Sequence, residues 1–287
     1  MAVAKQWAET IQQAGTDTET EELKNWAIEL LGSLADHERD KEAALVDVLS
    51  ALLEKGAFHS NLQAKTLALR GQFLSHSQKY AEALNDFSEA IKLDQENALY
   101  RIRRAETFYF LERYSEASID LEQALSIDPK SGAALGIRGR VRLQLMDYVG
   151  ALQDLDAAIK LSSRPFVLHY DRGEVYRSTK RYNEALREID IAMEIAPESK
   201  HYGYRQKAIT LTAIGNHEEA VNAAQQGLKL DPTCSGCWSL LISTYKLDAF
   251  TYLEECLDAH PKYQHWARHD AAWTDLRKDT RFSLLTD

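Results

Sequence analysis

Three cysteines and one histidine near the C-terminal end are the residues whose types and spacing could bind a metal ion. Cys234 and Cys237 form a CxxC motif, and Cys256 lies four residues before His260. In an antiparallel helix hairpin these side chains would lie close enough to bind Zn²⁺ tetrahedrally, through three thiolates and one imidazole. Small buried cysteines are also common packing residues. We predict that packing role, with neither a metal nor another cofactor, and zinc remains the alternative.

The same CxxC motif could instead carry redox chemistry. Thioredoxin-like motifs belong to a βαβ pattern, and no such pattern surrounds Cys234 and Cys237. This argues against a thioredoxin-like enzyme. A binding protein gated by a metal or by oxidation of Cys234, Cys237 or Cys256 is a further alternative.

Motifs of catalytic sites are missing from the sequence. It contains no glycine-rich phosphate loop and no strand–turn–helix motif that would hold a nucleophilic serine. We therefore predict that the chain is not an enzyme.

The elements that would position these residues repeat every 34 residues. Within residues 98–131, apolar side chains keep helical spacing in two successive runs, which predicts a pair of amphipathic helices. Small residues recur where two helix backbones must come close, and an aromatic recurs at the turn. The small residues are Gly71, Ala105, Gly139, Gly173 and Ala208, and the aromatics are Tyr80, Tyr114, Tyr148 and Tyr182. One hairpin cannot bury its apolar face alone, so the period predicts a stack of hairpins.

Two columns of alanine and a proline after the second helix complete the pattern. They are Ala83, Ala117, Ala151 and Ala185; Ala90, Ala124, Ala158 and Ala192; and Pro129, Pro197 and Pro232. With the small residues and the turn aromatic, this pattern resembles the tetratricopeptide repeat family, although Gln95 and Ser163 replace the proline in two copies. The resemblance implies an all-α, right-handed superhelical solenoid of helix hairpins, whose first helices line a concave peptide-binding groove.

The resemblance also divides the chain. We expect an N-terminal helical cap, a degenerate repeat, in residues 1–63 and five repeats in residues 64–97, 98–131, 132–165, 166–200 and 201–233. Residues 234–287 would form a degenerate sixth hairpin and a C-terminal cap. That cap resembles a module of bacterial tetratricopeptide repeat proteins through Tyr263, Trp266, Asp270, Leu276 and Phe282.

One column departs from the family pattern in every repeat but the fifth. Arginine stands before the small residue, and an acid recurs 16 residues later in the second helix. The pairs are Arg70 and Asp86, Arg104 and Asp120, Arg138 and Asp154, and Arg172 and Glu188. A partly buried guanidinium needs a paired acceptor, so we predict one ion pair inside each hairpin rather than a stripe that binds phosphate. Both columns change together in the fifth repeat, to Lys207 and Ala223.

The family geometry also assigns candidate binding residues, all on first helices. They are Gln72, Arg103, Glu106, Tyr109, Phe110, Arg140, Tyr170, Glu174, Arg177, Tyr202 and Arg205. Aromatic and arginine side chains are typical interface anchors. We expect the partner to be an extended or helical segment of another protein, with hydrophobic anchors and some acidic residues. The lysine–asparagine–arginine clamp of chaperone-tail binders is largely absent.

Composition limits the other classes of partner. Against 34 Lys and Arg the chain has 44 Asp and Glu, a net charge of −10, which argues against nucleic acid and anionic membranes. No apolar run approaches the roughly 20 residues of a membrane span, and the start lacks a signal-peptide core. We predict a cytoplasmic scaffold or adaptor. The runner-up is a structural or assembly subunit that uses its ends and convex face.

Overall fold

The computed structural model describes residues 46–47, 49–50, 53, 60–244, 246–259, 268–269 and 277–286. The chain divides into two compact units, residues 1–161 and residues 162–287. In these described residues every regular element is a helix, so the predicted all-α class is confirmed.

Within the described residues, unit 1 contains three helix hairpins. Its helices are α1 (Ser60–His76), α2 (Tyr80–Leu93), α3 (Ala98–Phe110), α4 (Tyr114–Ile127), α5 (Gly132–Gln144) and α6 (Tyr148–Leu161). Each odd-numbered helix packs on the helix that follows it, and α2 and α4 each also pack on the next hairpin. The turn aromatic of the sequence pattern is the first residue of each second helix.

Unit 2 contains hairpins of the same type and a less regular end. Its helices are α7 (Phe166–Ser178), α8 (Tyr182–Ile195), α9 (Lys200–Ile214), α10 (His217–Leu230), α11 (Ser235–Thr244), α12 (Lys246–Ala259) and α13 (Thr280–Thr286), with a 3₁₀ turn at Pro197–Ser199. Pro129, Pro197 and Pro232 each stand two residues beyond the last residue of a second helix. Proline has no N–H with which to continue the helix.

The alanine columns form the centre of each hairpin. All members of both columns in α2, α4, α6 and α8 are completely buried. The small-residue column packs against the second helix less uniformly. A Cβ at Gly139 would lie 2.7 Å from Leu155 Cγ, whereas one at Gly173 would meet nothing closer than 3.4 Å. Close packing therefore requires glycine at Gly139, and Gly173 has room for a methyl group.

The turn inside each hairpin has the same left-handed geometry. The residue at this turn has φ near +60° in the first four hairpins, at Gln78, Glu112, Met146 and Lys180. The next residue donates its N–H to a carbonyl five positions earlier, as Arg113 does to Phe108 at 2.9 Å. This is the hydrogen bond of a Schellman motif, which usually has glycine at the left-handed position. Only the fifth of these hairpins has glycine there, Gly215 with φ of 86°.

The two expected caps lie largely outside the described residues. At the N-terminal side, Leu49 is fully buried and Val46 packs with Leu74 and Phe87. At the C-terminal side, Phe282 of α13 packs into the cluster that contains Phe250. Tyr263, Trp266, Asp270 and Leu276 of the expected C-terminal cap are outside the described residues. Across the part that is described, no helix is both long enough and apolar enough for a membrane span.

Candidate functional site

The arginine and acid columns form one ion pair inside each of the first four hairpins. In the hairpin of α3 and α4, Arg104 Nε and Nη2 donate to the two carboxylate oxygens of Asp120 at 2.7 Å each. The same bidentate arrangement joins Arg70 to Asp86, Arg138 to Asp154 and Arg172 to Glu188, at 2.7–3.0 Å. All four acids are buried, with 1–8 % exposure. The predicted pairing is confirmed, because each of these arginines binds an acid in the second helix of its own hairpin.

The fifth hairpin replaces this internal pair with a pair between hairpins. Lys207 of α9 donates to Asp190 of α8 at 2.9 Å. Because Ala223 supplies no carboxylate in the second helix of its own hairpin, the acid comes from the preceding one. The simultaneous change in both columns therefore has a structural reason.

The fourth hairpin adds a buried histidine to its ion pair. His169 Nδ1 lies 2.8 Å from Glu188 Oε2, and Arg172 binds the same carboxylate. Burial by itself would raise the pKa of Glu188, but the hydrogen bonds from His169 and Arg172 outweigh it and hold that pKa below its usual value. Glu188 is therefore ionised at neutral pH, as a buried acceptor of two donors.

In unit 1, the candidate binding residues lie on α1, α3 and α5. We call this area the first-helix surface, and it comprises Gln72, Ser75, His76, Arg103, Glu106, Tyr109, Phe110 and Arg140. A cavity of about 140 Å³ opens on it between α1 and α3, lined by Gln72, Ser75, His76, Phe87, Arg103, Glu106, Thr107 and Phe110. The Ser75 and Thr107 hydroxyls, 3.3 Å apart, connect the two helices. Helices α1 and α3 thus form a shallow recess beside the exposed ring of Phe110.

Aromatic side chains cluster at one end of this cavity. The rings of Tyr80 and Phe110 are stacked, with centroids 6.2 Å apart, and Tyr109 packs edge-on to both Phe110 and Tyr114. Phe110 is 51 % exposed, although large apolar side chains are usually buried. The stack holds the Phe110 ring in place without covering it, and such a pre-positioned ring can anchor a ligand.

The charged groups on the first-helix surface already interact with one another. Glu106 Oε2 accepts from Arg103 at 3.2 Å, and Glu106 Oε1 lies 3.6 Å from Arg140. The Arg140 guanidinium also lies over the Tyr109 ring, 5.1 Å from its centroid. An acidic ligand would therefore compete with Glu106 for two arginines.

In unit 2, the candidate residues are brought together less completely. Tyr170 is only 5 % exposed, because it packs with Ile189 and Met193 in the core. This differs from the expectation that Tyr170 faces a ligand. Tyr202 is exposed, and its ring meets that of Tyr170 edge-on at 4.9 Å.

The charged candidates of unit 2 also have partners within the chain. Glu174 and Arg177, one turn apart on α7, bind each other. The Arg205 guanidinium lies 5.8 Å from the centroid of the Tyr202 ring and packs against Gly236. Of the five candidates in this unit, Tyr202 is the one classed as exposed, at 38 %, and its hydroxyl accepts from Gln206 Nε2 at 2.8 Å.

The cysteines do not form a metal site within the described residues, where no three His, Cys, Asp or Glu side chains are grouped to hold an ion. Cys234 and Cys237 are buried and adjacent, with 2.6 Å between their sulfur atoms. Cys256 is half-buried, and burial raises the pKa of its thiol to about 11. His260, the fourth proposed ligand, lies outside the described residues.

Two residues that contribute to these sites were not predicted from the sequence. Tyr80 was assigned only to the turn, yet its ring supports Phe110. Arg142 shares Asp154 with Arg138, at 2.8 Å. The signal for Arg142 was its position four residues after Arg138, on the same helix face. Tyr80 and Phe110 carry no comparable signal, because they meet only when two hairpins pack.

Comparison with known sequences places the repeats in one family. Residues 74–132 and 102–165 match one profile of the tetratricopeptide repeat, and residues 204–234 match another. The hairpin of α7 and α8 falls between these matches. None of the curated proteins matches the chain.

Solved structures share the fold at low sequence identity. A tetratricopeptide repeat protein from Parabacteroides merdae superposes with a TM-score of 0.64 and 18% identity, over 92% of this chain and 99% of that one. MamA from Desulfovibrio magneticus RS-1 superposes with a TM-score of 0.51 and 17% identity, over 60% of this chain and 97% of that one. With the repeated hairpins, the profile matches show that residues 74–165 and 204–234 consist of tetratricopeptide repeats.

Proposed function

We propose that this chain binds a segment of another protein on the first-helix surface of unit 1. The repeats give it the fold of a protein-interaction scaffold, a class that is typically non-catalytic. Repeat solenoids use extended surfaces of stacked units for binding. The observation that carries the proposal is the exposed Phe110 ring, fixed by Tyr80 beside the cavity between α1 and α3.

The chemistry of this surface defines the ligand. Phe110 and the adjoining cavity would hold one apolar side chain, and Arg103 and Arg140 would bind acidic groups of the same segment. Interfaces concentrate their binding energy in such aromatic and arginine anchors. The net charge of −10 disfavours nucleic acid and anionic membrane surfaces as competing ligands.

The test starts from peptides selected against the full chain from a displayed random library. Binding of the selected peptides is then measured by fluorescence anisotropy for wild type, Phe110→Ala and Ile119→Ala. Phe110→Ala should weaken binding by about 2 kcal/mol, roughly 30-fold. Ile119 on α4 is the matched control because it is an apolar residue of similar exposure, 55 %, outside the first-helix surface.

The two variants make the outcome decisive. Equal affinities for wild type and Phe110→Ala, with the helical circular dichroism unchanged, would reject the first-helix surface as the binding site. A loss of peptide affinity in Ile119→Ala would indicate that the binding site lies on the second helices instead.

A second candidate function is a structural subunit that packs through the turn between α5 and α6. Three apolar side chains are exposed there: Leu145 at 47 %, Met146 at 73 % and Val149 at 70 %. Clustered exposed apolar residues often mark a protein contact. Loss of a native complex on Met146→Ser with Val149→Ser, while Phe110→Ala leaves the complex intact, would favour this alternative.

A further inference from the structure

The CxxC motif lies at the start of α11, where its two sulfur atoms face each other. Cys234 immediately precedes the helix, and its carbonyl accepts from the N–H groups of Cys237 and Trp238 at 3.0 and 3.1 Å. The Cys237 N–H also approaches the Cys234 sulfur, at 3.4 Å. Residues three apart are neighbours on one face of a helix turn. The first turn of α11 thus holds the two sulfur atoms 2.6 Å apart, compared with about 2.05 Å in a disulfide bond.

The neighbouring helices keep this pair together. Gly227 of α10 lies against the Cys237 sulfur, which a Cβ at position 227 would approach to 3.0 Å. Gly236, between the two cysteines, leaves space for the Arg205 guanidinium, with which any Cβ at that position would collide. The Trp238 indole N–H donates to the Pro232 carbonyl at 2.8 Å and fixes the loop before the motif.

The two thiols differ in reactivity. The hydrogen bond between the sulfur atoms lowers the pKa of Cys234, against the effect of burial, and the Cys237 N–H and the Arg205 charge contribute. The same hydrogen bond and burial raise the pKa of Cys237. Cys234 also keeps 9 % exposure, compared with 1 % for Cys237. A thiolate is the nucleophilic form of cysteine, so Cys234 is the sulfur that a small oxidant meets first.

We propose that Cys234 and Cys237 are a reversible oxidation site, which a small hydroperoxide converts into a disulfide at the start of α11. The Cys234 thiolate attacks one peroxide oxygen, an S–O bond forms, the O–O bond breaks, and hydroxide leaves. The Cys237 sulfur then attacks the Cys234 sulfur, an S–S bond forms, the S–O bond breaks, and a second hydroxide leaves. With the two thiol protons, hydrogen peroxide yields two waters, and the dithiol has lost two electrons.

The site is independent of the proposed peptide binding and of any metal. Its effect on the chain would be local, because the two sulfur atoms already lie 2.6 Å apart, close to the length of a disulfide bond. A dithiol reductant reverses the reaction by thiol–disulfide exchange.

The experiment uses the full chain and hydrogen peroxide as the probe. Protein is reduced, freed of reductant, exposed to peroxide and analysed by intact mass and peptide mapping. Wild type and the matched control Cys256→Ser should each lose the mass of two hydrogen atoms, with the bond mapped between Cys234 and Cys237 and reversed by dithiothreitol. The Cys237→Ser variant should stop at a sulfenic acid on Cys234, which dimedone labels at least about tenfold more than it labels Cys234→Ser.

Three results would overturn the proposal. The first is an unchanged mass of the oxidised Cys256→Ser variant. The second is a disulfide that includes Cys256. The third is addition of two oxygen atoms to Cys234 without a disulfide. Because the first comparison needs no change at Cys234 or Cys237, it stays decisive even if a variant at either position fails to fold.

Discussion

Arg104 and Asp120 are joined by two hydrogen bonds of 2.7 Å that connect the two helices of one hairpin. Asp120 is 2 % exposed and Arg104 is about one-fifth exposed, so the pair stands at the edge of the core. Three other hairpins repeat the arrangement. Each of these four hairpins thus contains an ion pair in which removal of one partner leaves a mostly buried charge on the other.

Asp120→Ala should destabilise the chain by about 2–3 kcal/mol, because it leaves the Arg104 guanidinium without its carboxylate partner in a mostly buried site. Urea unfolding followed by circular dichroism measures the effect. Glu89→Ala is the control. Glu89 pairs with Lys92 in an exposed position, so this substitution should lower stability by less than about 1 kcal/mol. The double replacement Arg104→Met with Asp120→Leu should recover much of the loss. Equal losses for Asp120→Ala and Glu89→Ala would contradict the structural role of the pair.

Gly139→Ala and Gly173→Ala should change stability in opposite directions, although the two glycines occupy the same column. A methyl group at Gly139 would press on Leu155 and destabilise the protein by about 1–2 kcal/mol. A methyl group at Gly173 fits, and the higher helix propensity of alanine should add about 0.5–1 kcal/mol. Denaturant midpoints of the two variants test this, and shifts of the same sign would refute it.

Glu188 should give the chain an acid-sensitive contribution to stability. Its pKa is held below the ordinary value of 4.5 in the folded state, against burial, by His169 and Arg172. The folded state therefore binds the proton less well than the unfolded state. This contribution is present above the unfolded pKa and disappears as pH falls through the folded one. Glu188→Gln should be less stable at neutral pH and lose less stability below pH 4.5 than wild type, in denaturation curves measured across that range.

The exposed Glu89→Gln variant is the control for this pH dependence. It should keep the acid sensitivity of wild type, because Glu89 is an exposed carboxylate paired only with Lys92. Parallel pH profiles for wild type and Glu188→Gln would show that Glu188 does not carry the effect.

Glu106→Gln should strengthen binding of acidic peptides to the first-helix surface. Glu106 holds Arg103 and partly neutralises Arg140, so its removal frees positive charge for a ligand. The expected gain is about 0.5–1 kcal/mol, roughly twofold to fivefold, and it should shrink at high salt. Anisotropy with an acidic and a neutral peptide of equal length measures it. An equal gain for both peptides would mean that charge is not the cause.

Periodic features were predictable from the sequence, because each copy of the repeat shows the same residue types at the same positions. The hairpins, the turn tyrosines, the alanine columns and the arginine–acid pairs all follow from residues spaced by 34. The change at Lys207 could be recognised in the same way. Its new partner, Asp190, could not, because that contact joins different hairpins.

Features that depend on one particular neighbour were not predictable. Tyr170 occupies a first-helix position, but the side chains packed around it bury its ring. Gly139 and Gly173 are equivalent in the pattern, yet one faces Leu155, which branches at Cγ, and the other faces Ile189, which branches at Cβ. The pairing of Glu106 with Arg140 likewise requires the packed positions of α3 and α5.

The left-handed turns have a consequence for engineering the chain. Gln78, Glu112, Met146 and Lys180 each adopt a backbone conformation that costs a residue with a Cβ about 1–2 kcal/mol, whereas glycine adopts it freely. A more heat-resistant variant would then require no new contact, only glycine at these four positions, as at Gly215 in the natural chain.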